Sequence, residues 1–181
     1  MVEELIDKYL GDNRNLKEIY IIHVSLVRDR ARELAARVGH LSPDITFIEE
    51  ASMLHDIGIV KTNAPKIFCS GTEPYIAHGV IGREILEREG LPKHALVAER
   101  HTGSGMTKEE IQEQKLPIPA RDMLPISIEE KIICFADCFY SKDPTNLRKE
   151  RTVEEIRTSL KKFGAGPVER FDALCALFKW K

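Results

Sequence analysis

The chain of 181 residues carries 27 Lys plus Arg against 29 Asp plus Glu, and 43% of it is hydrophobic. That suffices for one domain with a substantial core, and no Ser/Gly-rich or low-complexity segment divides the chain, so residues 1–181 read as a single domain. The near balance of charge marks no surface for nucleic acid or for an anionic membrane, and leaves a small-molecule or mixed-charge partner as the expectation.

The opening stretch, "MVEELIDKYL", is acidic and amphipathic, unlike a signal or transit peptide. No run approaches the roughly 20 apolar residues that span a bilayer. From Leu16 to Val38 the residues Leu16, Ile19, Tyr20, Val27, Ala31, Leu34 and Val38 recur at helical steps, and His23 falls on the same stripe. The next helix is expected to open at "LSPDITF" with Ser42 as N-cap and Pro43 in the first helical position. Its buried face runs through Ile48, Ala51 and His55, and it closes near Gly58. Residues 58–73 read as a loop, followed by helical stretches at about 74–90 and 92–101. A second loop, 102–126, carries Gly103, Gly105, Pro117, Pro119 and Pro125 around one short helix. Each loop closely follows a histidine, which makes both candidates for the rim or lid of a site.

Three S/T-x-x-E patterns, Thr107 with Glu110, Ser127 with Glu130 and Thr152 with Glu155, predict helix starts. A last helix runs from Pro167 to Trp180, and its Phe, Leu and Trp residues offer a face to the core or to a second copy in a homodimer. No run alternates convincingly between apolar and polar, so the expected class is all-α.

Several polar residues fall where these helices should be buried. His23 and His55 occupy core-facing positions of consecutive helices, and Asp56 adjoins His55 in "ASMLHDIGIV". Asp137 lies in "KIICFADCFYSK", read as the middle of a buried helix, where an ionised carboxylate needs a cation. Lys131 or Lys142 could snorkel back to it; alternatively the two histidines and two aspartates share a divalent transition metal. Cys134 and Cys138 flank Asp137 at helical spacing and read as packed core residues. With Cys69 and Cys175 they form neither a C-x-x-C pair nor a disulfide framework, which fits a reducing cytoplasm. His40 and His94 read as solvated.

The order His, His-Asp, distant Asp, with "LHDIG" in the middle and "FAD" at the end, resembles the HD superfamily of metal-dependent phosphohydrolases, in the subgroup whose second motif reads HDIG. The similarity runs over about residues 20–143, and "AHGVIGREIL" and "ERHTGSGMT" are similar to elements of small two-metal HD proteins, including bacterial diadenosine tetraphosphate hydrolases. It implies a compact HD helical bundle with a metal site in its core. The motif-bearing part spans about 16–143, and 144–181 form a C-terminal helical extension. It also implies a first ion held by His23, His55, Asp56 and Asp137, and a second held by His78 and His101 with Asp56 bridging. Four imidazoles and two carboxylates suit iron, manganese, zinc, cobalt or nickel better than Mg²⁺, as one ion or two.

The implied activity is hydrolysis of a phosphate ester or anhydride, of a nucleotide or dinucleotide polyphosphate, by metal-activated water, with Asp56 as the catalytic residue. Phosphate oxygens also attract cationic side chains, and Lys61, Lys66, Arg100 and Lys142 all lie near the motifs. Lys61 is carried as the substrate contact, although the lysine that follows HDIG directly in commoner relatives is replaced here by Ile59. Di-iron oxygenases acting on small polyols or phosphonates share the same ligand order and form a rival reading. A non-catalytic nucleotide-binding module would show a missing ligand, and none is missing.

Overall fold

In a computed structural model that describes residues 1–180, the apolar stripes build nine α-helices joined by turns and short 3-10 segments. Helix α1 (Val2–Leu10) buries Leu5, Ile6 and Leu10. The long helix α2 (Arg14–Arg37) starts at Asn13, whose side chain accepts a hydrogen bond from the Leu16 amide, and it buries the expected stripe with His23 in it. Helix α3 (Ile45–Leu54) packs along α2.

The start of α3 differs from expectation. Ser42 takes the left-handed conformation (φ 50°) that closes the preceding 3-10 turn Gly39–Leu41, its amide donating to the Gly39 carbonyl. Asp44 is the cap instead, accepting from the Phe47 amide at 3.0 Å. Nor does the helix reach Gly58: it ends at Leu54, and the chain tightens into a 3-10 turn over Ile57–Lys61.

Residues 58–73 also hold the two short strands found among the described residues, isolated bridges such as Met106 with Met123 apart. A two-stranded antiparallel ladder, β1 (Asn63–Ala64) and β2 (Cys69–Ser70), pairs Asn63 with Ser70 and Ala64 with Cys69. Two-residue strands are too short to show an alternating pattern in sequence. Ile57, Gly58, Ile59, Ile67 and Cys69 are buried, so much of this segment belongs to the core.

Helices α4 (His78–Arg88) and α5 (Pro92–Arg100) pack closely against each other, and a 3-10 turn, Tyr75–Ala77, leads into α4. Then follow α6 (Lys108–Glu113), α7 (Ile128–Asp137), α8 (Val153–Leu160) and α9 (Ala165–Leu177). Thr107 and Thr152 make complete reciprocal capping boxes with Glu110 and Glu155. Ser127 makes half of one: it accepts from the Glu130 amide, while the Glu130 carboxylate binds the Ile126 amide and Arg100.

The apolar side chains gather into two clusters that meet along α2. One joins the second half of α2 to α3, α7, α8 and α9 around Phe135, Phe139, Phe171 and Phe178. The other joins α1, the first half of α2, the Ile57–Lys61 turn, α4 and α5. The handover on α2 falls between Val24 and Val27, beside His23. Helix α9 thus lays its aromatic face on the core. His94 is buried too, edge-on to Phe47 and 3.4 Å from Glu50, in place of the solvated position expected; its helix start lies against α3. No helix among the described residues is long and apolar enough to cross a membrane.

Candidate metal centre

Six side chains from five segments converge where the clusters meet. His23 comes from the middle of α2, His55 and Asp56 from the junction after α3, His78 from the start of α4, His101 from the residue after α5, and Asp137 from the last position of α7, at its end and not its middle. The side chains of His23, His55 and Asp56 have no exposure at all, and that of Asp137 keeps 14%.

The Asp56 carboxylate divides its oxygens between two groups. Oδ2 lies 3.1 Å from His23 Nε2 and 3.3 Å from His55 Nε2, and Asp137 Oδ1 lies 3.0 and 3.5 Å from the same two nitrogens. Oδ1 lies 3.5 Å from His78 Nε2 and 3.4 Å from His101 Nε2. Within each group the donor atoms lie within 4.8 Å of one another.

Local backbone fixes three of the rings. Nδ1–H of His55 donates to the Ser52 carbonyl at 2.6 Å, that of His78 to Tyr75 at 2.7 Å, and that of His101 to Ala98 at 2.8 Å, each three residues back. In the neutral ring each bond leaves Nε2 as the lone-pair nitrogen facing the centre. The Nε2 atoms of His78 and His101 are only 3.1 Å apart. Two facing lone pairs repel unless a cation sits with them. Despite their short separations, His23 Nε2, His55 Nε2, both Asp56 oxygens and Asp137 Oδ1 make no mutual hydrogen bonds of acceptable angle. They aim at shared points and not at one another, and buried polar atoms left so are costly. Imidazole and carboxylate donors arranged in this way fit one or two divalent transition ions.

The charges agree with that fit. Burial would lower the His55 pKa, but the carboxylates of Asp56 and Asp137 hold it up at about 10. Burial takes His78 down to about 3 and so keeps it neutral. Burial would raise both aspartates, yet Lys142 and the neighbouring imidazoles hold them well below the usual carboxylate range. A divalent cation would replace the proton on His55 and supply the positive charge that the aspartates attract.

The glycine of "HDIG" has a steric explanation. A Cβ on Gly58 would lie 2.0 Å from the His78 carbonyl oxygen and 2.5 Å from the Gly82 amide nitrogen, so only glycine lets the turn carrying Asp56 press against α4. Gly79 does the same between α4 and α5, where a Cβ would lie 2.8 Å from the Ala98 carbonyl oxygen. These two contacts bring His55, His78 and His101 within reach of one carboxylate.

Around the centre, Arg100 is engaged by Glu130 in a two-pronged pair at 3.0 and 3.1 Å that ties the end of α5 to the start of α7. The thiols of Cys134 and Cys138 donate to the Gly103 carbonyl at 3.4 and 3.0 Å, holding the segment after His101; burial raises both thiols and makes them inert packing groups. Lys61 is exposed, and its carbonyl, paired with the Glu73 amide, serves the turn. The ammonium that reaches the centre is that of Lys142, 2.6 Å from Asp56 Oδ2. Tyr75 was not singled out in the sequence. It stacks on His78 with ring centroids 4.9 Å apart, and burial pushes its hydroxyl up to about 12. A tyrosine three residues before a candidate ligand histidine was the available signal.

A family model described as "HD domain" matches residues 20–141, the span that holds all six side chains. The chain belongs to the HD domain family. Over 135 residues it is 39% identical to an uncharacterized protein of Methanocaldococcus jannaschii, a match covering 72% of each chain. It is also 35% identical over 133 residues to a protein of Picrophilus torridus, and 31% identical over 140 residues to one of Thermoplasma volcanium. Both of these are named tRNA (cytidine(56)-2'-O)-methyltransferase. Those matches cover 72% and 76% of this chain but only 34% and 36% of the two relatives, about a third of their length. The HD domain supports membership of a superfamily of metal-dependent hydrolases.

Proposed function

We propose that this HD domain is a metal-dependent phosphohydrolase that cleaves a phosphate ester or anhydride, of a nucleotide or dinucleotide polyphosphate. The observation that carries the reading is the division of the Asp56 oxygens, Oδ2 toward His23 and His55 and Oδ1 toward His78 and His101. One carboxylate placed between two imidazole pairs is suited to hold two cations at a fixed separation. When bound, such ions make water a nucleophile at neutral pH and offset charge on phosphoryl oxygens.

The chain's own residues set the conditions for that chemistry. Asp56 orients the two ligand groups with respect to each other. The carbonyls of Ser52, Tyr75 and Ala98 lock three rings so that they need not reorient during reaction. Burial of the donors excludes bulk water and strengthens every electrostatic contact inside. The methyltransferase name belongs to proteins of which the matched region is about a third, and a cluster of imidazoles and carboxylates is metal-site chemistry, not methyl-transfer chemistry. What those relatives contribute is a substrate to include, since a tRNA also carries phosphate esters.

The test follows release of phosphate or of nucleotide products from nucleotides, dinucleotide polyphosphates, phosphomonoesters and tRNA, using protein purified anaerobically and supplied with Mn²⁺ or Fe²⁺, beside Asp56→Ala. Release by the wild type alone is the expected result. No release from any of them, with oxygen consumed when small polyols or phosphonates are added to the iron-loaded protein, would replace the hydrolase by an oxygenase.

A further inference from the structure

Among the described residues, Lys142 is the only lysine or arginine that forms an ion pair with Asp56 or Asp137. It sits at Asp56 Oδ2, the same oxygen that faces His23 and His55. A cation held by that imidazole pair and the Lys142 ammonium therefore compete for one oxygen. A divalent ion coordinated by several fixed donors outcompetes a single ammonium on a four-carbon stem, so Lys142 needs a second partner whenever the ion is in place.

The surroundings define that partner. Lys142 lies between the end of α7 at Asp137 and the start of α8 at Val153, a stretch with neither helix nor strand, and its side chain keeps 12% exposure. It lines an open cavity of about 230 Å³ with Lys66, Tyr75, Ser141 and Asp143. The Asp143 carboxylate is already engaged, accepting from the amide and hydroxyl of Thr145 at 2.9 and 2.7 Å. Facing the cavity are two ammonium groups and two hydroxyls against one carboxylate, that of Asp143, whose hydrogen bonds from Thr145 use only Oδ1 and whose charge is felt by Lys66, so the lining keeps a net excess of cationic donors. Such a set recognises a phosphoryl oxygen. The volume has room for a phosphoryl group, with the rest of a larger substrate left at the open side of the cavity.

We propose that Lys142 is the phosphoryl-binding residue of this centre, its ammonium exchanging Asp56 Oδ2 for an oxygen of the substrate's phosphoryl group when a cation is bound by His23, His55 and Asp137. The assignment rests on the phosphohydrolase reading and moves the cationic substrate contact from Lys61 to Lys142.

The experiment titrates inorganic phosphate into Mn²⁺-supplied wild type, Lys142→Met and Lys142→Arg by calorimetry, with bound Mn²⁺ measured on the same samples. Lys142→Met should bind phosphate about tenfold or more weakly, the loss of one charge-assisted hydrogen bond, while Lys142→Arg stays within a few-fold of wild type. Bound Mn²⁺ in Lys142→Met should equal or exceed that of wild type, because a competitor for Asp56 has gone. Equal phosphate affinity in wild type and Lys142→Met would overturn the assignment and leave the hydrolase standing. Loss of Mn²⁺ from Lys142→Met would overturn it as well, since the ammonium would then be building the metal site. A wild type that binds Mn²⁺ but no phosphate would overturn both this assignment and the hydrolase reading.

Discussion

The two halves of the centre are held by different means. On the His78–His101 side each ring is tied to a carbonyl three residues earlier, and both histidines stand at the boundary of a helix or turn. On the other side His23 stands in the middle of α2, where the carbonyl oxygens are already used by the helix, and its Nδ1 has no partner. Only His55, just past α3, shares the local anchor. The last turn of a helix has spare carbonyls, as at Ser52 and Ala98, and a helix middle does not. The second half is therefore largely prearranged by its own backbone, whereas the first depends on α2, α3 and α7 being docked.

Asp56 is common to both halves, so its removal should do the most damage. Asp56→Ala is expected to bind neither ion and to lose several orders of magnitude in phosphate release; activity within about tenfold of wild type, the range expected of an outer partner, would deny it a bridging role. Replacing one half at a time sharpens the comparison. His101→Ala and Asp137→Ala should each lower bound Mn²⁺ by one ion per chain, with Asp137→Ala also disordering the His23 imidazole in NMR spectra and His101→Ala leaving that ring unchanged. Equal disturbance of His23 in both variants would show that the halves are not separately held.

Smaller effects test the frame. Gly58→Ala forces a Cβ into the His78 carbonyl and should cost about 3 kcal/mol in urea unfolding, the upper part of the range for overpacking. It acts on the contact between the halves, so Mn²⁺ binding should fall with stability. Thr152→Ala removes the cap of α8, away from the centre, and should cost about 1 kcal/mol with no change in bound Mn²⁺. A loss of metal in Thr152→Ala would mean that α8 and α9 support the centre more directly than their packing indicates.

Much of the helical pattern was legible because helix periodicity and capping are local. The stripe on α2, the starts at Thr107, Ser127 and Thr152 and the aromatic face of the last helix all depend on residues a few positions apart. The misread helix start was a local competition between near-equal candidates: Ser42 and Asp44 are both good caps, and the preceding turn used Ser42. His94 read as solvated because its burial comes from Phe47 and Glu50 on another helix. The small ladder at Asn63–Ala64 left no pattern to read.

For the centre, residue type and expected burial nominated His23, His55, Asp56 and Asp137, because ligand chemistry restricts which side chains can share a metal, whereas His78 and His101 came only with the resemblance to the HD superfamily. Their grouping around the two oxygens of one carboxylate was decided by tertiary structure, through the close approach of backbone at Gly58 and Gly79. The cation at the centre was decided the same way. Lys61 is nearer to "HDIG" in sequence, but it is Lys142, eighty-six positions after Asp56, that reaches the carboxylate. Electrostatic partners are chosen by distance in space, and distance in space is set only once the helices have packed.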